Sequence, residues 1–173
     1  MKRTLLILIL AALVVACGPS KEERIDQIED FEDSIFESAL VADEDAADQL
    51  TQLYIDFADK YPADSLSPQY LLKAAEIQSN VLHTDRSIAL FDRIINDYPD
   101  FEHVPICYFL KGIAYESNSQ FDEAKAAYQT FVDKYPDHYM AEQTRLMIPK
   151  VGMSPEEMLD QILANANDTI IAQ

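Results

Sequence analysis

The residues of this chain that could do chemistry are two cysteines, three histidines and 31 carboxylates. A zinc-type site draws on His or Cys pairs spaced so that both ligands leave one helix face together. His83, His103 and His138 have no second histidine one helical turn away, and each falls near a turn between helices. No metal or other cofactor is expected. The sequence contains no glycine-rich phosphate loop, Gly-x-Ser-x-Gly elbow or cysteine-nucleophile motif. Carboxylates are so numerous that some must lie close together, but an acidic helix face is normally just solvated, and no spacing marks one group as an acid or base. No catalytic residue is therefore assigned, and the chain is read as a non-enzyme. Cys107 sits in the apolar stretch ICYFL, which suits a buried, inert thiol better than a reactive one needing an electropositive, exposed setting.

Cys17 is different. Lys2 and Arg3 open the chain, Thr4 to Val15 form an apolar run, and Val14-Val15-Ala16-Cys17 follows. The run is short of the about 20 apolar residues that span a bilayer and reads as a secretion signal. A small residue followed by cysteine resembles the bacterial lipoprotein signal, and that resemblance implies removal of residues 1–16 and acylation of Cys17. Each buried methylene of an acyl chain contributes about 0.8 kcal/mol, so two or more chains anchor firmly. Gly18 stands where an aspartate signals inner-membrane retention in enteric bacteria, which favours the outer membrane. Lys21-Glu22-Glu23 resembles the lysine-plus-acidic signal that sends lipoproteins of Bacteroidetes to the cell surface, or it merely opens an acidic helix. The periplasmic side and the cell surface both stay open.

Without Lys2 and Arg3 the formal charge moves from -18 to -20 over the remaining 157 residues. Such a balance repels phosphate backbones, so nucleic acid is not an expected partner. Three glycines in the chain favour helices over tight hairpins.

These residues are positioned by a repeat. Tyr61-Pro62, Tyr98-Pro99 and Tyr135-Pro136 recur every 37 residues, and a fixed period of that size points to stacked units. Upstream, Leu50, Tyr54, Phe57 and Tyr61, then Phe91, Ile94 and Tyr98, then Ala124, Tyr128, Phe131 and Tyr135 step by three and four, the spacing of one helical face. Ser87 is the polar break in this register, with Ile88 beside it to supply the apolar contact. Each Tyr-Pro ends one helix, because proline lacks an amide hydrogen and restricts the residue before it. Pro68 and Pro105 suit the first turn of the next helix, with Ser67 as cap. YLLKAAEIQSNVL and ICYFLKGIAYES would be those helices; a strand is the competing reading of ICYFL, which the repeat register overrules.

In the third copy Gly112, Tyr115, Ala124, Tyr128 and Pro136 fall in register with a known motif, and the second copy keeps Ala75, Phe91 and Pro99 but has Gln78 and Ser87. The chain thus resembles tetratricopeptide repeat (TPR) proteins over roughly residues 31–148, which implies an all-α, TPR-type solenoid of about three helical hairpins. Pro149 replaces the small residue of a fourth copy, so that helix should end early. Ser154-Pro155-Glu156-Glu157 then caps a C-terminal helix, with Met158, Leu159, Ile162 and Leu163 on one face as a lid. KEERIDQIEDFEDSIFE reads as an acidic helix with Ile25, Ile28 and Ile35 inward. The domain organisation is therefore signal 1–16, lipidated tether 17–22, helical domain 23–165 and flexible tail 166–173.

A TPR groove lined by the first helix of each hairpin usually holds a partner segment. On this register the lining is Gln69, Leu72, Glu76, Ser79 and Asn80, then Ile106, Phe109, Ile113, Glu116 and Ser117, although Ile106 and Phe109 could equally be core. The lysines and asparagines with which some TPR proteins grip a terminal carboxylate are replaced here by Leu72, Glu76, Phe109 and Ile113, so that clamp is not expected. The expected role is a lipid-anchored envelope scaffold that binds other envelope proteins. YPDHYMAEQTRLMIPKV and FLKG resemble the BamD family of outer-membrane protein assembly lipoproteins, whose members are longer, with about five repeats. The alternative is a peptidoglycan- or glycan-binding lipoprotein that regulates cell-wall enzymes, since tyrosines stack well on sugars.

Overall fold

Apolar residues at steps of three and four, interrupted by prolines at fixed intervals, become helices throughout the described part of the chain. The computed structural model describes the backbone of residues 18–38 and 43–171, and side chains within 18–35 and 43–164. The expected signal segment 1–16 and the expected acylation site, Cys17, lie outside the described residues. The helices are α1 (Lys21–Ser38), α2 (Glu44–Lys60), α3 (Leu66–Asn80), α4 (Thr84–Asp97), α5 (Val104–Ser117), α6 (Phe121–Lys134), α7 (Ala141–Met147) and α8 (Pro155–Ile171), with a 3-10 turn at Ile148–Lys150. The stretch ICYFL lies inside α5, and no strand occurs among the described residues. The fold is all-α, of TPR-type helical hairpins.

The three Tyr-Pro stops share one geometry. Tyr61, Tyr98 and Tyr135 have φ/ψ of -127/56, -130/56 and -130/58, and each backbone N–H still donates one turn back, to Phe57, Ile94 and Phe131. Each tyrosine carbonyl then accepts from the third residue on, Asp64, Phe101 or His138, at 2.9–3.1 Å. The proline forbids another helical turn, and this tight turn redirects the chain. A second periodic feature lies inside the hairpins: Leu82 and Ser119, again 37 apart, both have positive φ, 61° and 58°.

Helix starts follow side-chain chemistry. Ser20 with Glu23, and Ser154 with Glu157, each exchange two bonds of 2.7 and 3.2 Å, forming reciprocal capping boxes at α1 and α8. Asp43 caps α2 by accepting from the Ala46 N–H. Ser67 does not cap α3. That helix begins one residue earlier, Asp64 accepts the Leu66 N–H at 2.9 Å, and the Ser67 hydroxyl donates to the Tyr61 carbonyl at 2.6 Å.

The described residues fall into two compact units, divided within α3 between Tyr70 and Leu71. In the first, α1 packs on α2 through Ile28, which is buried with Leu50, Tyr54, Phe57 and Ala58, while Ile25 and Ile35 are half-buried. Tyr70 stacks on Tyr54 with centroids 5.2 Å apart and meets Phe57 edge-on at 4.9 Å. The Tyr54 hydroxyl donates to Glu32, and Lys21 pairs with Asp64 at 2.9 Å.

In the second unit α5 packs against both α4 and α6, and an ion pair joins Lys111 of α5 to Asp92 of α4. Tyr128, Ala124 and Val151 form one core cluster and Phe131, Val132 and Ala141 another, with Phe109 packed against both. Ser87 is fully buried and its hydroxyl has no partner, so it occupies the core position itself, while Ile88 is half-buried. α7 stops after seven residues at the turn holding Pro149. α8 does not act as a lid: Met158, Leu159, Ile162 and Leu163 are 41–63 % exposed. The helix carries its apolar stripe on the face predicted, but Gly152, with φ of 76°, turns the chain just before it, and no core forms against the stripe.

Candidate partner-binding site

Four of the ten groove residues come together. Glu76, Ser79 and Asn80 lie at i, i+3 and i+4 on α3, hence on one face, and with Ile113 of α5 they line a cavity of about 260 Å³ whose other walls are Phe91 and Leu110. The lining is thus polar where α3 contributes and apolar where α4 and α5 contribute. Glu76 is exposed at the mouth of the cavity, but the atoms around its carboxyl partly desolvate it and raise its pKa from the ordinary value, an effect that the charge of His103 opposes.

The other six lie elsewhere. Phe109 is core, with its ring 5.4 Å from Tyr128 and 5.8 Å from Phe131. Glu116 faces inward to accept the Tyr128 hydroxyl at 2.8 Å. Leu72 and Ile106 are half-buried, and Gln69 and Ser117 are exposed. None of these six lines the cavity.

Phe91 and Leu110 are lining residues that periodicity assigns to the core or leaves unmarked. The signal that could have found them is a comparison between copies. Where the third copy pairs Tyr128 with Glu116, the second has Phe91 and Ser79 at the same register, which is less bulk and no hydrogen bond.

Among the described residues the other histidines and the free cysteine are not brought together. His103 and Cys107 stand one helical turn apart, but the histidine is exposed and the thiol fully buried. Among the described residues no group of three His, Cys, Asp or Glu could hold a metal ion. His83 bonds Gln78 through its ring at 2.9 Å, a structural contact that satisfies a fully buried amide. No described helix is long and apolar enough to cross a membrane.

Two segments of the chain, residues 69–100 and 107–138, match the tetratricopeptide repeat family. These segments comprise most of α3–α4 and most of α5–α6, and so contain every residue of the cavity. No curated protein matches the chain.

Proposed function

We infer that this protein is a binding scaffold whose repeat hairpins hold a segment of another protein, and that it works at the bacterial outer membrane, anchored through acylated Cys17. The observation that carries the first half is the cavity between Glu76, Ser79, Asn80 and the apolar wall of Phe91, Leu110 and Ile113, built from the two repeat-matching segments. Partner recognition by helical repeats uses such mixed surfaces. The signal-like run ending at Cys17 supports the second half. A part in outer-membrane protein assembly rests on the resemblance of residues 135–151 and 109–112 to the BamD family.

The glycan-binding alternative draws little from the tyrosines, of which Tyr139 alone stands largely exposed, at 84 %. Tyr54, Tyr70 and Tyr128 are buried, and Tyr61, Tyr98 and Tyr135 close helices.

A photo-crosslinking residue placed at Asn80 tests the scaffold reading against one placed at Asp122, an exposed position on α6. Discrete protein adducts from position 80 and none from 122 are expected in intact cells, and equal labelling from both would remove the reading. Cys17→Ser tests the anchor, with the protein expected to leave the membrane fraction. Retention there would count against acylation.

A further inference from the structure

The second and third copies differ at a pair of positions with one job. In the third, Tyr128 fills the space between α5 and α6 and donates to Glu116. At the same register in the second, Phe91 and Ser79 supply neither the phenolic donor nor the carboxylate, and both line the cavity. The same comparison puts Glu76 where the third copy has Ile113. Glu76 has no hydrogen-bond or ion-pair partner among the described residues, and the charge acting on it is that of His103. The cavity therefore combines an apolar wall, an unpaired carboxylate, the Asn80 amide and the Ser79 hydroxyl.

We propose that this cavity is a subsite for a lysine or arginine side chain of the bound protein segment, with the aliphatic stem against Phe91, Leu110 and Ile113 and the cationic head on Glu76. The proposal rests on the partner-binding reading and adds its chemistry. Its size suits one side chain, being below the about 300–1,000 Å³ of sites for drug-sized ligands. Long basic side chains bury their stems on apolar surface while the charge stays with polar groups at the mouth. An uncharged apolar side chain would desolvate Glu76 without pairing it, and a carboxylate would be repelled. The net charge of -18 favours a cationic partner over longer range. The exposed face of α8 from a second copy is a poor occupant, because that helix has acidic residues and no lysine or arginine.

Methyl NMR on the full chain tests this with three probes: the Nα-acetyl methylamides of lysine, arginine and norleucine, the last keeping an aliphatic stem without the cation. Saturable shifts at the Leu110 and Ile113 methyls are expected with lysine or arginine, at least tenfold weaker with norleucine and at least tenfold weaker for Glu76→Gln. The double variant Ser79→Glu, Phe91→Tyr, which installs the third copy's pair, should fill the cavity and abolish the shifts while keeping the helical melt. Norleucine binding as well as lysine, or cationic probes leaving both methyls unmoved, would overturn the proposal. Adducts at Asn80 that persist unchanged in Glu76→Gln would leave the partner-binding surface standing and remove only the basic subsite.

Discussion

Gly112 lies directly against the ring of Tyr128: a β-carbon at position 112 would sit 2.7 Å from Cζ and closer still to Cδ1 and Cε1. The ring is fully buried and its hydroxyl is tied to Glu116, so it has nowhere to retreat. The closest approach of α5 and α6 is therefore set by the absence of one methyl group. Gly112→Leu is expected to destabilise the protein, since overpacking typically costs about 1–3 kcal/mol. Urea unfolding measures this, and an unchanged midpoint would mean that the two helices separate freely.

Ser87 should respond in the opposite direction. Its hydroxyl is buried without a partner at a position where the third copy has Ala124. An unsatisfied buried hydroxyl costs on the order of 1–3 kcal/mol. Ser87→Ala is expected to raise stability by about 1 kcal/mol, read as a higher melting temperature. A lower one would show that the hydroxyl does find a partner.

Burial pushes the Cys107 thiol up to about 12, with the charge of Glu76 adding to the effect. The thiolate is the reactive form, so Cys107 should resist alkylation at neutral pH in the folded protein and react promptly in denaturant. Rapid labelling under native conditions would show that α5 opens.

Glu76 gives a pH dependence of definite sign. Its folded carboxyl titrates above its unfolded value, so the folded state binds more protons in that window, and stability falls as pH rises through it. Below the unfolded value, about 4.3, both states are protonated and the penalty vanishes. Glu76→Gln should therefore be more stable than the wild type at neutral pH and equal to it in acid. The His103 charge opposes the shift and so makes the difference smaller. Equal stability at both ends would show that Glu76 is not desolvated.

Much of the fold is legible because repetition multiplies weak signals. One Tyr-Pro is merely a turn, whereas three at one spacing define hairpins, and the closest contact at Gly112 and the short α7 before Pro149 follow from that register, while the capping box at Ser154 follows from its own Ser-x-x-Glu spacing. The site is less legible, because a cavity reflects what is missing relative to a neighbouring copy. Phe91 looks like an ordinary core residue until Tyr128 is set beside it. α8 shows another limit: spacing identifies the apolar face of Met158 and Ile162, but not whether anything covers it. Ser67 has the right residue type beside Pro68, yet Asp64 reaches the helix start first.

The common dihedrals at Tyr61, Tyr98 and Tyr135 bear on how a gene for such a chain can change length. Duplicating residues 99–135 in tandem would join Tyr135 to Pro99 and return the chain to the same junction, with every inward side still inward. Inserting a single residue within a helix would instead turn everything beyond it by about 100°, carrying core residues to the surface. Growth and loss are therefore quantised in whole units of 37 residues, and a reading frame preserved at the codon level can still be broken at the level of the helix.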